Sequence, residues 1–132
     1  MRKLKIAAAM AVGLLSQTPS FAGAYYGTTV VVGSIYGYGS LVAARDSGDS
    51  KQAIGCYIGA YVTNVTDTVA NNYLSCSATD AAGNSYYCYD YTPPDTWIKM
   101  VAALNSTSWI YFYGDSSHHC QGLNTQQGSA YL

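Results

Sequence analysis

Four side chains of ligand type crowd into one short stretch, Asp115, His118, His119 and Cys120, spaced D-x-x-H-H-C. Imidazole nitrogens, a thiolate and a carboxylate are the donor set of zinc and other first-row metals. The spacing works against that reading. Adjacent histidines on a strand point to opposite faces, so both reach one ion only from a bent loop. A Cys120 held in a disulfide is also lost as a ligand. No metal and no cofactor is therefore expected, and the two histidines read as loop residues. Catalytic signatures are equally sparse: the chain has no glutamate, no GxSxG, no HExxH and no Walker loop. Asp90 or Asp95 beside His118 would supply part of a triad, since triads assemble in space, but no motif marks a nucleophile. A non-enzymatic protein is the expectation.

The more informative set is aromatic. Tyr57, Tyr61, Tyr73, Tyr87, Tyr89, Tyr91, Trp109, Tyr111 and Tyr113 fall on one parity of their strand-like stretches. Tyrosine and tryptophan offer rigid apolar area with a polar tip, which suits sugar rings and protein partners. Tyr57, Tyr61, Tyr87, Tyr89, Trp109, Tyr111 and Tyr113 are the candidate ligand-binding residues, with a cell-surface glycan or a secreted protein as the ligand. The competing account is structural. Cross-strand aromatic pairs stabilise a sheet by roughly 0.2–1 kcal/mol each, and tyrosine is a favoured strand residue in any case.

The elements that must position these rings alternate in a strand-like way. Tyr25–Val32 is a β-branched run, and Gly33–Gly39, with three glycines in seven residues, reads as a flexible linking loop. A short strand is expected over Ser40–Arg45. Gln52–Thr63 alternates cleanly, Tyr73–Thr79 and Ser85–Tyr91 flank a hairpin loop at Asp80–Asn84, and Ser108–Tyr113 is the strongest strand. Between the last two, Thr92-Pro93-Pro94-Asp95 opens a helix to about Leu104, whose apolar stripe is Trp97, Val101 and Leu104. Ile54, Cys56, Ile58, Leu74, Cys76, Cys88, Ile110 and Phe112 form the opposite, aliphatic side. The expected fold is α+β: an antiparallel sheet of about five to seven strands, one amphipathic helix packed on one face, and disulfide staples.

The beginning of the chain reads as a leader. Arg2, Lys3 and Lys5 precede ten apolar residues, Ile6–Leu15, and Ser20-Phe21-Ala22 has the small residues of a signal-peptidase site. Ten residues are too few to span a bilayer, so no stable membrane anchor is expected. The expected layout is residues 1–22 as signal peptide, 23–39 as an N-terminal strand with its Gly/Tyr-rich loop, and 40–132 as the folded domain, exported to the periplasm or beyond. After cleavage Arg45, Lys51 and Lys99 face seven aspartates, a net charge of −4. Such a surface does not attract phosphate backbones, which excludes nucleic acid as a partner.

Four cysteines, Cys56, Cys76, Cys88 and Cys120, imply two disulfides in an exported chain. A hairpin centred on Ala82 sets Cys76 opposite Cys88, which prefers Cys76–Cys88 with Cys56–Cys120. A one-residue register change equally favours Cys56–Cys76 with Cys88–Cys120, and both remain open.

Ile54-Gly55-Cys56 in a strand, then the run from Cys76 to Asn84 with Cys88 just beyond, then a helix and Trp109–Phe112 ahead of Cys120, resembles small secreted bacterial proteins of no assigned function. The likeness spans Ser40–Leu132. It implies an exported bacterial domain with structural cysteines and carries no catalytic motif. The combined expectation is a small exported binding domain. The alternatives are an assembly protein using its N-terminal strand and a secreted inhibitor or effector.

Overall fold

The computed structural model describes residues 28–62 and 71–128. The expected leader, the start of the N-terminal strand and the loop 63–70 lie outside the described residues. The chain forms β1 (Val31–Val32), β2 (Tyr36–Ser40), α1 (Leu41–Arg45), β3 (Ala53–Tyr61), β4 (Asn71–Thr79), β5 (Ser85–Asp90), α2 (Asp95–Ala102), β6 (Ser108–Gly114) and β7 (Cys120–Gln127). The α+β, disulfide-stapled antiparallel architecture is present. Its strands, however, divide into two sheets, one of order β1-β2-β6-β7 and one of order β3-β4-β5.

Alternation explains why the two sheets pack face to face. β2 to β6 carry apolar or small residues on one parity and aromatic or polar ones, chiefly tyrosine, on the other, so each sheet has a face to bury. Leu74, Cys76, Ala78, Tyr86 and Cys88 from the three-stranded sheet meet Ile110 and Phe112 from the four-stranded one in a single core. Tyr86 stacks on Phe112 across the seam, with ring centroids 6.1 Å apart. The aliphatic side is thus covered chiefly by a second sheet, with the helix packed at its margin. α2 buries no residue fully; Trp97 and Val101 on it, and Leu104 just past its end, pack against the margin of the core. Its N-cap is Pro94, while the Thr92 N–H turns back to donate to Asp90 Oδ1 at 2.8 Å.

The stretch read as a glycine-rich loop is β2, the strand between β1 and β6. Its Tyr-Gly-Tyr-Gly pattern is a period-two alternation in which glycine takes the inward parity. A Cβ on Gly37 would lie 2.6 Å from the Ala78 Cβ and 3.0 Å from Phe112 Cζ. Only a residue without a side chain lets the two sheets close there. The expected strand at Ser40–Arg45 is the short helix α1, because the Ala43 N–H donates to Ser40 Oγ at 3.1 Å and caps a helical turn.

The disulfides are Cys56–Cys76 and Cys88–Cys120, so the preferred pairing of Cys76 with Cys88 is not the one formed. The expected register is nevertheless present: Cys56, Cys76 and Cys88 lie in one row across β3, β4 and β5. In a central antiparallel strand the N–H and C=O of one residue point to the same neighbour, so a residue is closely paired on one side only. For Cys76 the close side is β3, with Cα atoms 4.0 Å apart. Cys88 is left to reach Cys120 on β7, which ties one sheet to the other.

Asp49 secures the chain entry. Its carboxylate accepts the Lys51 N–H at 2.8 Å, the Gln52 N–H at 3.0 Å and Gln52 Nε2 at 2.6 Å. Gln52 Oε1 in turn accepts the Val30 N–H at 2.9 Å, anchoring the segment that leads into β1. These bonds, chiefly from the Gln52 side chain, hold the Asp49 carboxyl down to about 2.

Two outcomes are expected. Gly37→Ala, by forcing the sheets apart, lowers stability by about 1–3 kcal/mol in urea unfolding; an unchanged midpoint would refute the close-approach account. For Asp49, a depressed folded-state value means that its stabilisation is intact above the ordinary carboxylate range, near 4, and is lost as pH falls through about 2. Asp49→Asn should flatten the acid limb of the stability profile in that window and speed amide exchange at Val30.

Candidate functional site

The two sheets turn their tyrosines outward, so the single aromatic face expected from parity is two faces. Trp109, Tyr111 and Tyr113 lie on the outer side of the four-stranded sheet. Tyr57, Tyr61, Tyr87 and Tyr89 lie on the outer side of the three-stranded sheet, with Tyr73 and Tyr91. One ligand the size of a sugar cannot touch both groups.

On the four-stranded sheet the aromatics occupy adjacent strands in direct register. Tyr36 faces Tyr113 and Tyr38 faces Tyr111. Tyr38 contacts Trp109 at 6.1 Å and Tyr111 at 6.4 Å, and Trp109 stacks along its own strand on Tyr111 at 6.4 Å. These rings fill one another's space. The arrangement is a cross-strand stabilising mat. Tyr36 and Tyr38 were hidden from sequence reasoning because their strand reads as a loop; the strict Tyr-Gly alternation was the available signal.

The three-stranded sheet is built differently. Its middle strand carries serine where the outer strands carry tyrosine: Tyr57, Ser75 and Tyr89 form one row, and Gly55, Ser77 and Tyr87 form the next. Tyr57 and Tyr89 therefore stand two strand spacings apart, about 9.5 Å. Between the rows of rings lies an open groove of about 380 Å³ whose floor is Ser75. Tyrosines alone make its walls, and no charged side chain lines it.

Each wall is braced. Tyr57 meets Tyr73 edge-on with centroids 5.8 Å apart. The hydrogen bond between these two phenols, reinforced by the charge Tyr57 would carry, raises the Tyr73 pKa above the ordinary tyrosine value. Tyr73 itself lies flat over Gly59, its register partner, where a side chain would collide with the ring. On the far side His118 stacks on Tyr87, with centroids 4.3 Å apart and planes within 3°. Its Nδ1–H donates to the Tyr87 carbonyl at 2.8 Å. His119 meets the Tyr89 ring edge-on at 5.3 Å.

The loop that delivers both histidines is folded around Asp115. Its Oδ1 accepts the Ser117 N–H at 2.9 Å and the His119 N–H at 3.0 Å, and Oδ2 accepts Gln121 Nε2 at 3.2 Å. These bonds, the one from His119 first, hold the Asp115 carboxyl below the usual range. The left-handed backbone of His118, with φ of 63°, turns its ring onto Tyr87. The Cys88–Cys120 bond then pins the loop to β5. The residues of the D-x-x-H-H-C stretch thus support the groove wall. Among the described residues no group of three or more His, Cys, Asp or Glu side chains could hold a metal.

No family model, no curated protein and no solved structure matches this chain. What the fold and the site define is a class: a disulfide-stapled α+β domain bearing an uncharged tyrosine groove. Two disulfides are consistent with an exported protein. No helix among the described residues is long and apolar enough to cross a membrane.

Gly59→Ala should expel the Tyr73 ring and reshape the groove without unfolding the domain. Aromatic NMR would show displaced Tyr57, Tyr61 and Tyr91 resonances with those of Trp109 unmoved. Unchanged tyrosine resonances would mean that Gly59 does not seat Tyr73.

Proposed function

We propose that the protein is an exported, non-enzymatic binding domain that takes a neutral carbohydrate in the tyrosine groove of the three-stranded sheet. The observation that carries this reading is the row Tyr57–Ser75–Tyr89. Two strand spacings leave room for one flat ring with carbon contacts of about 4 Å on either side. Tyrosine walls match the apolar faces of a sugar, while their hydroxyls and the serine floor meet its rim of hydroxyl groups. The rings remain accessible, with Tyr57 54% exposed and Tyr87 50%.

Charge and size support the same choice. An uncharged lining neither attracts nor repels a neutral sugar, whereas a phosphate or carboxylate ligand would lack a partner. A groove of about 380 Å³ suits a small ligand; a stable protein interface buries on the order of 1,200–2,000 Å². The non-enzymatic part of the reading draws on where the acids are. Asp49, Asp80, Asp90 and Asp115 each accept backbone N–H groups in loops, away from the groove floor. Export draws on the leader and on the two disulfides.

A glycan array of neutral oligosaccharides followed by titration calorimetry tests the proposal. Tyr57→Ser and Tyr89→Ser should each weaken binding by about tenfold or more, a loss of about 1.4 kcal/mol. Tyr111→Ser, on the opposite sheet, should leave it intact. A glycan whose affinity responds to Tyr111 and not to Tyr57 would place recognition on the wrong face and end the proposal.

A further inference from the structure

The two ends of the groove differ. At one end Tyr61, Tyr73 and Tyr91 contact one another: Tyr61–Tyr73 at 6.1 Å, Tyr61–Tyr91 edge-on at 6.0 Å, Tyr73–Tyr91 at 6.4 Å. Tyr61 belongs to β3, Tyr73 to β4, and Tyr91 follows β5, so the three rings form a wall across the whole width of the sheet. At the other end Gly55 and Ser77 continue the floor with small residues, beside Tyr87 on the wall. A Cβ on Gly55 would meet nothing within 4 Å. The groove is blind at the Tyr73 end and open at the Gly55 end.

We infer that the site recognises the terminal residue of an unbranched neutral glycan, and not an internal stretch. This rests on the carbohydrate reading above and specifies the ligand further. The last ring sits over Ser75 between Tyr57 and Tyr89, its free end meets the Tyr73 wall, and the remaining chain leaves over Gly55 and Ser77. A chain lying along the floor through its middle would run into the three packed rings. A branch projecting sideways from the terminal ring would run into Tyr57 or Tyr89. Two residues therefore set specificity, Tyr73 as the stop and Gly55 as the exit.

The test uses linear malto-, cello- and manno-oligosaccharides, each also prepared with a bulky blocking group on either the reducing or the non-reducing end. Affinities are measured by calorimetry for the native protein, Gly55→Phe, Tyr73→Ser and Tyr57→Ser. The expected result is that blocking one particular end weakens binding by about tenfold or more while blocking the other does not. Gly55→Phe fills open space and so keeps the fold; it should lose the oligosaccharide and retain the matching monosaccharide. Tyr73→Ser should restore binding of the blocked chain. Equal affinity for both blocked forms, with binding still lost in Tyr57→Ser, would overturn end recognition and leave the carbohydrate reading standing. No binding by any of these sugars, nor by the wider neutral array, would overturn both. Thermal unfolding of each variant separates loss of the site from loss of the fold. Should Tyr73→Ser fail to fold, Gly55→Phe with the blocked sugars decides alone.

Discussion

Everything outside the core depends on how closely β2 approaches β4. Gly37 brings the two strands together over Ala78 and Phe112, and Gly39 lets the segment leading into β1 close on β2 at Val30. Close-packed interiors cannot absorb an extra methyl group without displacement. The glycines thereby define the thickness of the molecule. Because the inward parity of β2 is empty of side chains, its outward parity is free to carry Tyr36 and Tyr38. The alternation that closes the sandwich also lays down the aromatic mat on one outer surface.

The remaining constraints are local and act through loops. Four aspartates fold four connections by accepting main-chain N–H groups, and at Asp49, Asp80 and Asp115 the side-chain and main-chain donors together hold the carboxyl below its ordinary value. Asp80 shows the pattern in a hairpin: it accepts the Asn84 N–H and Asn84 Nδ2, both at 2.9 Å, beside Gly83 with its φ of 94°. Asp115 does this for the loop that buttresses Tyr87 and Tyr89. The Cys88–Cys120 bond closes a separation of 32 residues and contributes roughly 2–4 kcal/mol by constraining the unfolded chain. It joins the sheets at the point where the wall is braced, so the site and the staple are one piece of construction.

Much of this was legible in the residues. Period-two alternation located four of the strands, β3 to β6, the Asp80–Asn84 turn fixed the hairpin, and the parity of Cys76 and Cys88 placed them opposite each other. Three things were not. The Tyr36–Ser40 strand was masked because glycine signals a turn locally, whereas here it answers a demand from Ala78 and Phe112, which are distant in sequence. The division into two sheets was invisible because parity reports which residues share a face of a strand, not which strands share a sheet. For the same reason Trp109, Tyr111 and Tyr113 were grouped with Tyr57 and Tyr89 although they lie in another layer. The choice between disulfide pairings turned on which neighbour of β4 is the closely spaced one, a property of hydrogen-bond phase that residue type does not encode.

The placement of the two tryptophans has an optical consequence. Trp109 lies in the mat on the four-stranded sheet and Trp97 lies on α2, while the groove is walled by tyrosine alone. Indole emission therefore reports on the integrity of the fold from side chains that do not line the groove. Phenol ellipticity in the near ultraviolet arises from coupled rings on both faces, and the part from Tyr61, Tyr73 and Tyr91 changes with occupancy while the part from Tyr36, Tyr38 and Tyr111 stays with the fold. The protein carries two chromophore sets that answer different questions, and ligand binding and unfolding can be followed in one sample without a label.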